Sequence, residues 1–253
     1  VAFDVFSVGD TVSAKDGGSF AGNVAMAGTL GVTGNVGVGV TPSTLLHIKG
    51  ANPVYRIEDN NETGSGNIVF RDSARETAKI SVASGASASM QFQTLGTEAM
   101  RIDANGIITK PLQPAFCVHP ASQVNNFSVP SDTNPIIFGT ERFDNNADFA
   151  SNVFTAPVTG KYLLQFTLYF LNIDVTTQYI EITIITSNDA YPYVFHSSSY
   201  DADLSYQGIH NGIVADMDAN DTAQIRLQIP SAGSGAAQMD LATDSFFSGA
   251  LIC

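Results

Sequence analysis

The chain has 253 residues, of which 44% are hydrophobic, 14% are charged and 22 are glycine, and its net charge is −13. An intrinsically disordered chain is excluded because disorder combines low hydrophobicity with high charge, whereas this composition is typical of a β-rich protein. Lys and Arg total only 11 and do not cluster, so the neutralisation of phosphates that nucleic-acid binding requires is not expected.

The sequence has no apolar run of the ~20 residues that cross a bilayer, so membrane insertion is not expected. It begins at Val1 without methionine, which suggests a fragment whose N-terminal attachment region is missing. Cys117 and Cys253 are the two cysteines, too few for a disulfide framework and wrongly spaced for zinc.

Residues 1–50 are rich in glycine and contain a repeated Gly-Asn-Val unit. Between residues 22 and 40 apolar side chains alternate within short runs that Gly-Asn and Thr-Gly turns separate, the pattern of short strands. Strands this short cannot bury an apolar face alone, so they must stack on one another or on other chains. The region is predicted to be an intertwined β-fibre shaft. The alternative is a flexible Gly-rich linker, against which the regular Val, Leu and Met positions argue.

Residues 51–112 form a second block of short, half-apolar strands, predicted at 54–58, 67–71, 79–82, 90–93 and 99–103. Asn105-Gly106 is a strong hairpin signal. Each strand carries few apolar residues, so this block is predicted to be a small β-rich connector without an independent monomeric core.

Pro111 and Pro114 mark the next boundary, because proline interrupts a central strand. Aromatic residues concentrate after it, and strands are predicted at 162–170, 179–185, 223–229 and 246–252. Residues 113–253 are the segment able to form a sizeable core, and an antiparallel sandwich, most simply a jelly roll, is predicted there. The whole chain is therefore predicted to be all-β.

A run of residues in this segment resembles the signature of the complement C1q globular head, a family similar in fold to tumour necrosis factor. The residues that carry the resemblance are Phe143, Phe149, Phe154, Gly160, Tyr162, Phe166, Phe247 and Gly249. Two departures are Leu164, where the family usually has Phe, and a shorter gap between Phe149 and Phe154. The resemblance implies a jelly-roll head that forms trimers and, as such heads often do, binds calcium.

Two upstream segments, residues 43–48 and 96–106, look like segments of bacteriophage tail fibres, especially marine ones. This resemblance implies a homotrimeric fibre at the distal part of a virion tail. Its head would bind a host cell-surface glycan or protein, and the missing N-terminal region would attach to other tail proteins.

Acidic segments within residues 189–206 are predicted to be loops that bear the binding surface. Tyrosine offers flat apolar area for stacking on sugar rings as well as a hydroxyl, so the predicted receptor contacts are Tyr191, Tyr193, Tyr200 and Tyr206. Asp201 and Asp203 are the candidate Ca²⁺ ligands, and no other cofactor is expected. The alternative is a solvated loop with the tyrosines packed at the trimer seam.

No catalytic motif surrounds any of the 4 histidines, so an enzyme is not expected. Three alternatives to a receptor-binding fibre remain at this point. They are a structural protein that registers and caps the trimer, a polysaccharide-degrading tailspike that uses paired carboxylates, and a cellular C1q-like secreted protein. The missing collagen stalk and the fibre-like upstream segments argue against the last.

Overall fold

The computed structural model describes residues 32–57, 64–85, 88–127, 131–229 and 238–253. The chain divides into two compact units, one ending at Ile57 and the other running from residue 58 to the C-terminus. The described residues are mostly strands and turns, and their helical segments include two short 3₁₀ turns at Val175–Thr177 and Ser197–Ser199. The predicted all-β fold class is confirmed. None of the described residues forms a helix long and apolar enough to cross a membrane.

In the first unit, strand β1 (Val36–Val38) pairs in parallel with strand β2 (Leu46–Ile48). The chain turns at Gly39, whose φ is +74° and where a side chain would collide with the Lys49 carbonyl. Much of the Gly-Asn-Val repeat lies outside the described residues, so the fibre shaft stays a prediction. The prediction of a strand at 54–58 is wrong for residues 54–57, which have irregular structure. Residue 58 lies outside the described residues.

A five-stranded antiparallel sheet follows, with its strands in chain order. It consists of β3 (Ser65–Arg71), β4 (Glu76–Ala83), β5 (Ser89–Thr94), β6 (Thr97–Ile102) and β7 (Ile108–Thr109). Four of the predicted connector strands are confirmed. The Asn105-Gly106 hairpin joins β6 to β7, and the Asp103 carboxylate accepts the N–H groups of Asn105 at 2.9 Å and Ile107 at 2.8 Å.

One extra residue in β4 and one in β6 interrupt the regular pairing of this sheet. Side chains three residues apart on a regular strand point to opposite faces, but a bulge returns them to the same face. Two ion pairs use this geometry: Glu76–Lys79 at 3.7 Å in β4 and Glu98–Arg101 at 2.6 Å in β6. The bulges therefore collect the charges of the sheet on one of its faces.

The C-terminal region is a sandwich of two six-stranded antiparallel sheets. Its strands are β8 (Ala115–His119), β9 (Ser131–Thr133), β10 (Thr140–Asp144), β11 (Phe149–Ala150), β12 (Val153–Thr155), β13 (Gly160–Ile173), β14 (Ile180–Thr186), β15 (Ala190–Phe195), β16 (Leu204–Met217), β17 (Thr222–Ile229), β18 (Asp240–Leu241) and β19 (Phe246–Leu251). The first sheet has the order β10-β8-β19-β13-β16 with β18 on β13, and the second has β11-β12-β17-β14-β15 with β9 on β17. Neighbouring strands are mostly distant in sequence, which is the jelly-roll connectivity. The predicted jelly-roll head is confirmed.

The core of the head lies between these two sheets and is rich in aromatic rings. Phe116 stacks on Phe154 with ring centroids 4.7 Å apart, and Phe247 meets Phe116 edge-on at 5.0 Å. Tyr162 is fully buried, and its hydroxyl donates to the Val158 carbonyl at 2.7 Å. Stacked and edge-on pairs add to the stabilisation that area burial alone provides.

Most residues of the C1q-like signature line this core. Phe149, Phe154, Tyr162, Phe166, Phe247 and Gly249 are buried, and Gly160 is half-buried. Phe143 does not belong to the core, since 49% of it is exposed. It pairs with Cys117, whose side chain points outward because its neighbours Phe116 and Val118 point into the core.

Candidate functional site

The outer face of the first sheet, which points away from the core, carries an apolar stripe. Tyr162 and Leu164 of β13 face inward, so Leu163 between them faces outward. The register aligns Leu163 with Val214 of β16 and Ala250 of β19. We call Phe143, Leu163, Val214 and Ala250 the outer stripe. Val214 is 58% exposed, so the stripe is uncovered in the isolated chain.

A shallow depression of about 170 Å³ lies on the stripe. Its lining includes Ala115, Phe143, Leu163, Gln165, Ser248 and Ala250. Cys117 lies beside it, paired with Phe143 and Ser248, and partial burial raises the pKa of its thiol. A raised pKa keeps the thiol protonated and poorly nucleophilic, so this surface is suited to packing.

One end of this outer face is charged, and the other is aromatic. Lys161 and Asp216 form an exposed ion pair at 2.6 Å, of a kind that adds little stability. At the aromatic end Tyr169 and Tyr206 stack with ring centroids 5.4 Å apart and an interplanar angle of 20°. A Cβ at Gly208 would lie 2.8 Å from the Tyr169 ring, so glycine lets this ring lie flat on β16. Partial desolvation raises the pKa of Tyr206. Electrostatic interactions with Tyr169 and Asp244 raise it further, by smaller amounts.

A second depression, of about 480 Å³, includes residues of β13 and of β15 and β16, the edge strands of the two sheets. We call it the edge depression. Its polar and aromatic lining includes the exposed Gln165, Tyr193 and His210 and the half-buried Thr167, Asn211 and Phe246. Tyr193 is 39% exposed and aligns with the buried Ile182, so its ring faces the gap at the edge of the sandwich.

Sequence reasoning missed His210 and Asn211 as members of a site. No sequence signal identifies them, because the feature that places the His210 imidazole beside β13 on the outer face is its pairing with Thr167. Which residues of two distant strands align depends on the fold and cannot be read from the alternation within one strand.

The segments predicted to be acidic loops are partly strands. Ala190–Phe195 is the edge strand β15, and Leu204 to Tyr206 begin β16. Pro192 is tolerated within β15 because this is an edge strand, where the missing proline N–H can face solvent.

The four predicted receptor tyrosines do not form one cluster, since no ring contact found among the described residues joins two of them. Tyr191 is half-buried and packs against the core. Tyr193 lies at the edge depression, and Tyr206 stacks on Tyr169. Tyr200 is 45% exposed, and its ring centroid lies 5.9 Å from that of Phe195. Their role in receptor binding stays a prediction.

The candidate calcium ligands have different environments. Asp203 accepts the Val175 N–H at 3.1 Å and so orients the first 3₁₀ turn. Asp201 is exposed. Within the described ranges no group of three or more His, Cys, Asp and Glu side chains is placed to hold a metal ion. The calcium site at Asp201 and Asp203 stays a prediction.

No protein-family model and no curated protein matches this chain. Similar solved structures include the globular domain of zebrafish complement 1qA, with a TM-score of 0.40 and 19% identity over 56% of this chain and 98% of that chain. Murine APRIL has a TM-score of 0.40 and 9% identity over 55% of this chain and 99% of that chain. Eiger TNF from S. frugiperda has a TM-score of 0.39 and 12% identity over 56% of this chain and 93% of that chain. The likeness concerns fold alone, that of a C1q or tumour necrosis factor-like domain.

Proposed function

We propose that this chain is the distal part of a homotrimeric bacteriophage tail fibre whose head binds a receptor on the host cell surface, most simply a glycan. The fibre assignment rests on the resemblance of residues 43–48 and 96–106 to tail-fibre segments. On this proposal the head binds its receptor and does not process it.

The observation that carries the binding role is the edge depression. The Tyr193 ring offers an aromatic face for a sugar ring, and Asn211 lies on the inward-facing side of β16 in the same lining. His210 and Gln165 add hydrogen-bonding groups on the outer side of the depression. Each such open site would bind weakly. Three copies held together would raise the overall affinity by avidity, provided that the receptor is repeated on the cell surface.

The outer stripe supports the trimer. An apolar patch that combines Phe143, Leu163 and Val214 is of the kind that marks a protein–protein interface. Copies of the same chain are the partner that a homotrimeric fibre supplies. The stripe also favours a second candidate function, in which the head only registers and caps the fibre.

Adsorption of the fluorescently labelled full chain to a panel of bacterial strains tests the binding role. Tyr193→Ala and His210→Ala should each weaken adsorption to a susceptible strain by roughly tenfold or more, as truncation of an interface hot spot does. Tyr55→Ala is the matched control, because Tyr55 is 68% exposed but belongs to the first unit.

The possible outcomes separate the candidate functions. Unchanged adsorption in both head variants would place the receptor site elsewhere. A trimeric chain that neither adsorbs to any strain nor blocks infection would support the registering and capping role. Shortened envelope glycans after incubation with the chain would identify a tailspike instead.

A further inference from the structure

The five-stranded sheet has one face that is apolar across all its strands. Pairing aligns Ile68, Ile80, Phe92 and Met100 in a row across β3 to β6. The same face carries Phe70 and Ala78, and a second row runs through Val82, Met90, Ile102 and Ile108. We call these side chains the connector face. It contains no ionisable group, because the charged pairs Glu76–Lys79 and Glu98–Arg101 lie away from it.

No side chain of the connector face is fully buried among the described residues, and several are exposed. The hydrophobic core has no member between residues 64 and 112, and the buried residues in that range are Ser81 and Ser89. Ile68 is 43% exposed, Phe70 53% and Val82 46%. A sheet with one apolar face needs a second layer, so this single layer is incomplete by itself.

The size of the face indicates how such a layer would be supplied. Strands ~4.8 Å apart, with about six residues each at ~3.3 Å, give a patch of roughly 400 Å². That lies within the ~300–600 Å² range of the largest apolar patches on monomers, which are often functional. It falls short of the ~800 Å² per partner of a stable interface, so the face must add to a contact made elsewhere.

We propose that the connector face is an interface between copies of this chain, in which the three connector sheets of a trimer pack their apolar faces together. The proposal rests on the trimer of the proposed function, but not on receptor binding. Because the face is uncharged, identical faces can meet without opposing like charges. A trimeric head would also hold these faces at high effective concentration, so a patch too small to associate alone becomes sufficient.

Ile68 and Val69 provide a matched pair for testing this interface. They are neighbouring β-branched residues on β3 with nearly equal exposure, 43% and 42%, yet they lie on opposite faces of the sheet. Ile68→Cys and Val69→Cys are made separately in the full chain, with Cys117→Ser and Cys253→Ser to remove the native thiols. The rate of maleimide labelling is then measured on the native protein.

The interface predicts labelling at position 68 at least tenfold slower than at position 69, although an isolated chain would label both at similar rates. A nitroxide at each position gives a second readout, with a shorter distance between copies at position 68 than at position 69. Ile68→Lys should lower the Tm of the full chain more than Val69→Lys.

Three results would overturn the proposal. Equal labelling rates at both positions would mean that the face is open. Protection at position 68 in a chain that mass photometry shows to be monomeric would mean that another segment of the same chain covers it. A nitroxide distance that is no shorter at position 68 would mean that the copies do not meet there. Cell adsorption is measured separately, so the receptor-binding role can stand when this interface fails.

Discussion

Gly249 fills a place in the wall of the head core where even a methyl group does not fit. A Cβ there would lie 2.7 Å from Phe116 Cε1 and 2.8 Å from Leu164 Cδ2, both in fully buried side chains. Gly249→Ala should therefore destabilise the head by about 1–3 kcal/mol, the usual cost of overpacking. Calorimetry checks the Tm, with Gly50→Ala as the control because no atom lies within 4 Å of a Cβ at that position. Equal Tm values in the two variants would contradict the predicted packing.

Asp132 links the short strand β9 to the sheet through the Arg226 side chain of β17. Its carboxylate accepts from Arg226 Nε at 2.7 Å and from Nη2 at 2.6 Å, and this pairing holds the pKa of Asp132 below its ordinary value. A lowered pKa stabilises the fold above the unfolded-state pKa of about 3.9, and the contribution is lost as the pH falls through the folded-state pKa.

Asp132→Asn should accordingly lower the Tm at neutral pH, and the difference from the parent protein should vanish in strong acid. Thermal unfolding from pH 7 to pH 2 measures it, and added salt at neutral pH should shrink the difference because the pair is exposed. A Tm difference that persists at pH values below the ordinary pKa range of aspartate would show that the carboxylate stabilises the fold by packing and not by its charge.

At the scale of the strand, the sequence allowed the head strands that carry strict alternation to be predicted. β13, β14, β17 and β19 bury every second side chain over most of their length, so their pattern is visible within one segment. The sequence predicts loops at residues 190–193 and 204–206, but these residues belong to β15 and β16. They are edge strands, and β15 contains Pro192. The edge depression could not be predicted, because it depends on which distant strands lie side by side.

The outer stripe can be tested with a matched pair of valines. Val214 on β16 and Val194 on β15 are 58% and 41% exposed, but they lie on different sheets of the head. Val214→Asp should dissociate the trimer, because three buried carboxylates in an apolar seam would be unpaired. Val194→Asp should leave the trimer intact, and mass photometry at nanomolar concentration distinguishes the two. If both variants dissociate, or if neither does, the experiment contradicts the assignment of the outer stripe to the trimer interface.

At the scale of the whole molecule, the predicted organisation has three parts, 1–50, 51–112 and 113–253. The five-stranded sheet and the sandwich each fall within one predicted part, and the boundaries stay predictions. The composition predicted that the upstream strands carry too few apolar residues to form a core without partners. The exposed apolar side chains of the connector face agree with this prediction. The composition alone could not show which side chains share that face, because a bulge in β4 and another in β6 shift the alternation.

A trimer held by these surfaces should unfold as it dissociates. Mass action then makes the Tm of the full chain rise with protein concentration. Differential scanning fluorimetry over a hundredfold concentration range measures the trend, and Val214→Asp should flatten it. A Tm independent of concentration in the parent protein would mean that the copies separate before the fold is lost, or never associate.

The position of β19 has a consequence for biosynthesis. This strand is the last of the head to be translated, yet it lies between β8 and β13 in the middle of the first sheet. Until the ribosome has made residues 246–251, β8 has β10 beside it but lacks its other neighbour, and Val118 has no Phe247 to pair with. Contacts this distant in sequence form slowly, so the head closes only after its synthesis is complete. The outer face, which includes Ala250 of β19, is therefore completed only once residues 246–251 have been made.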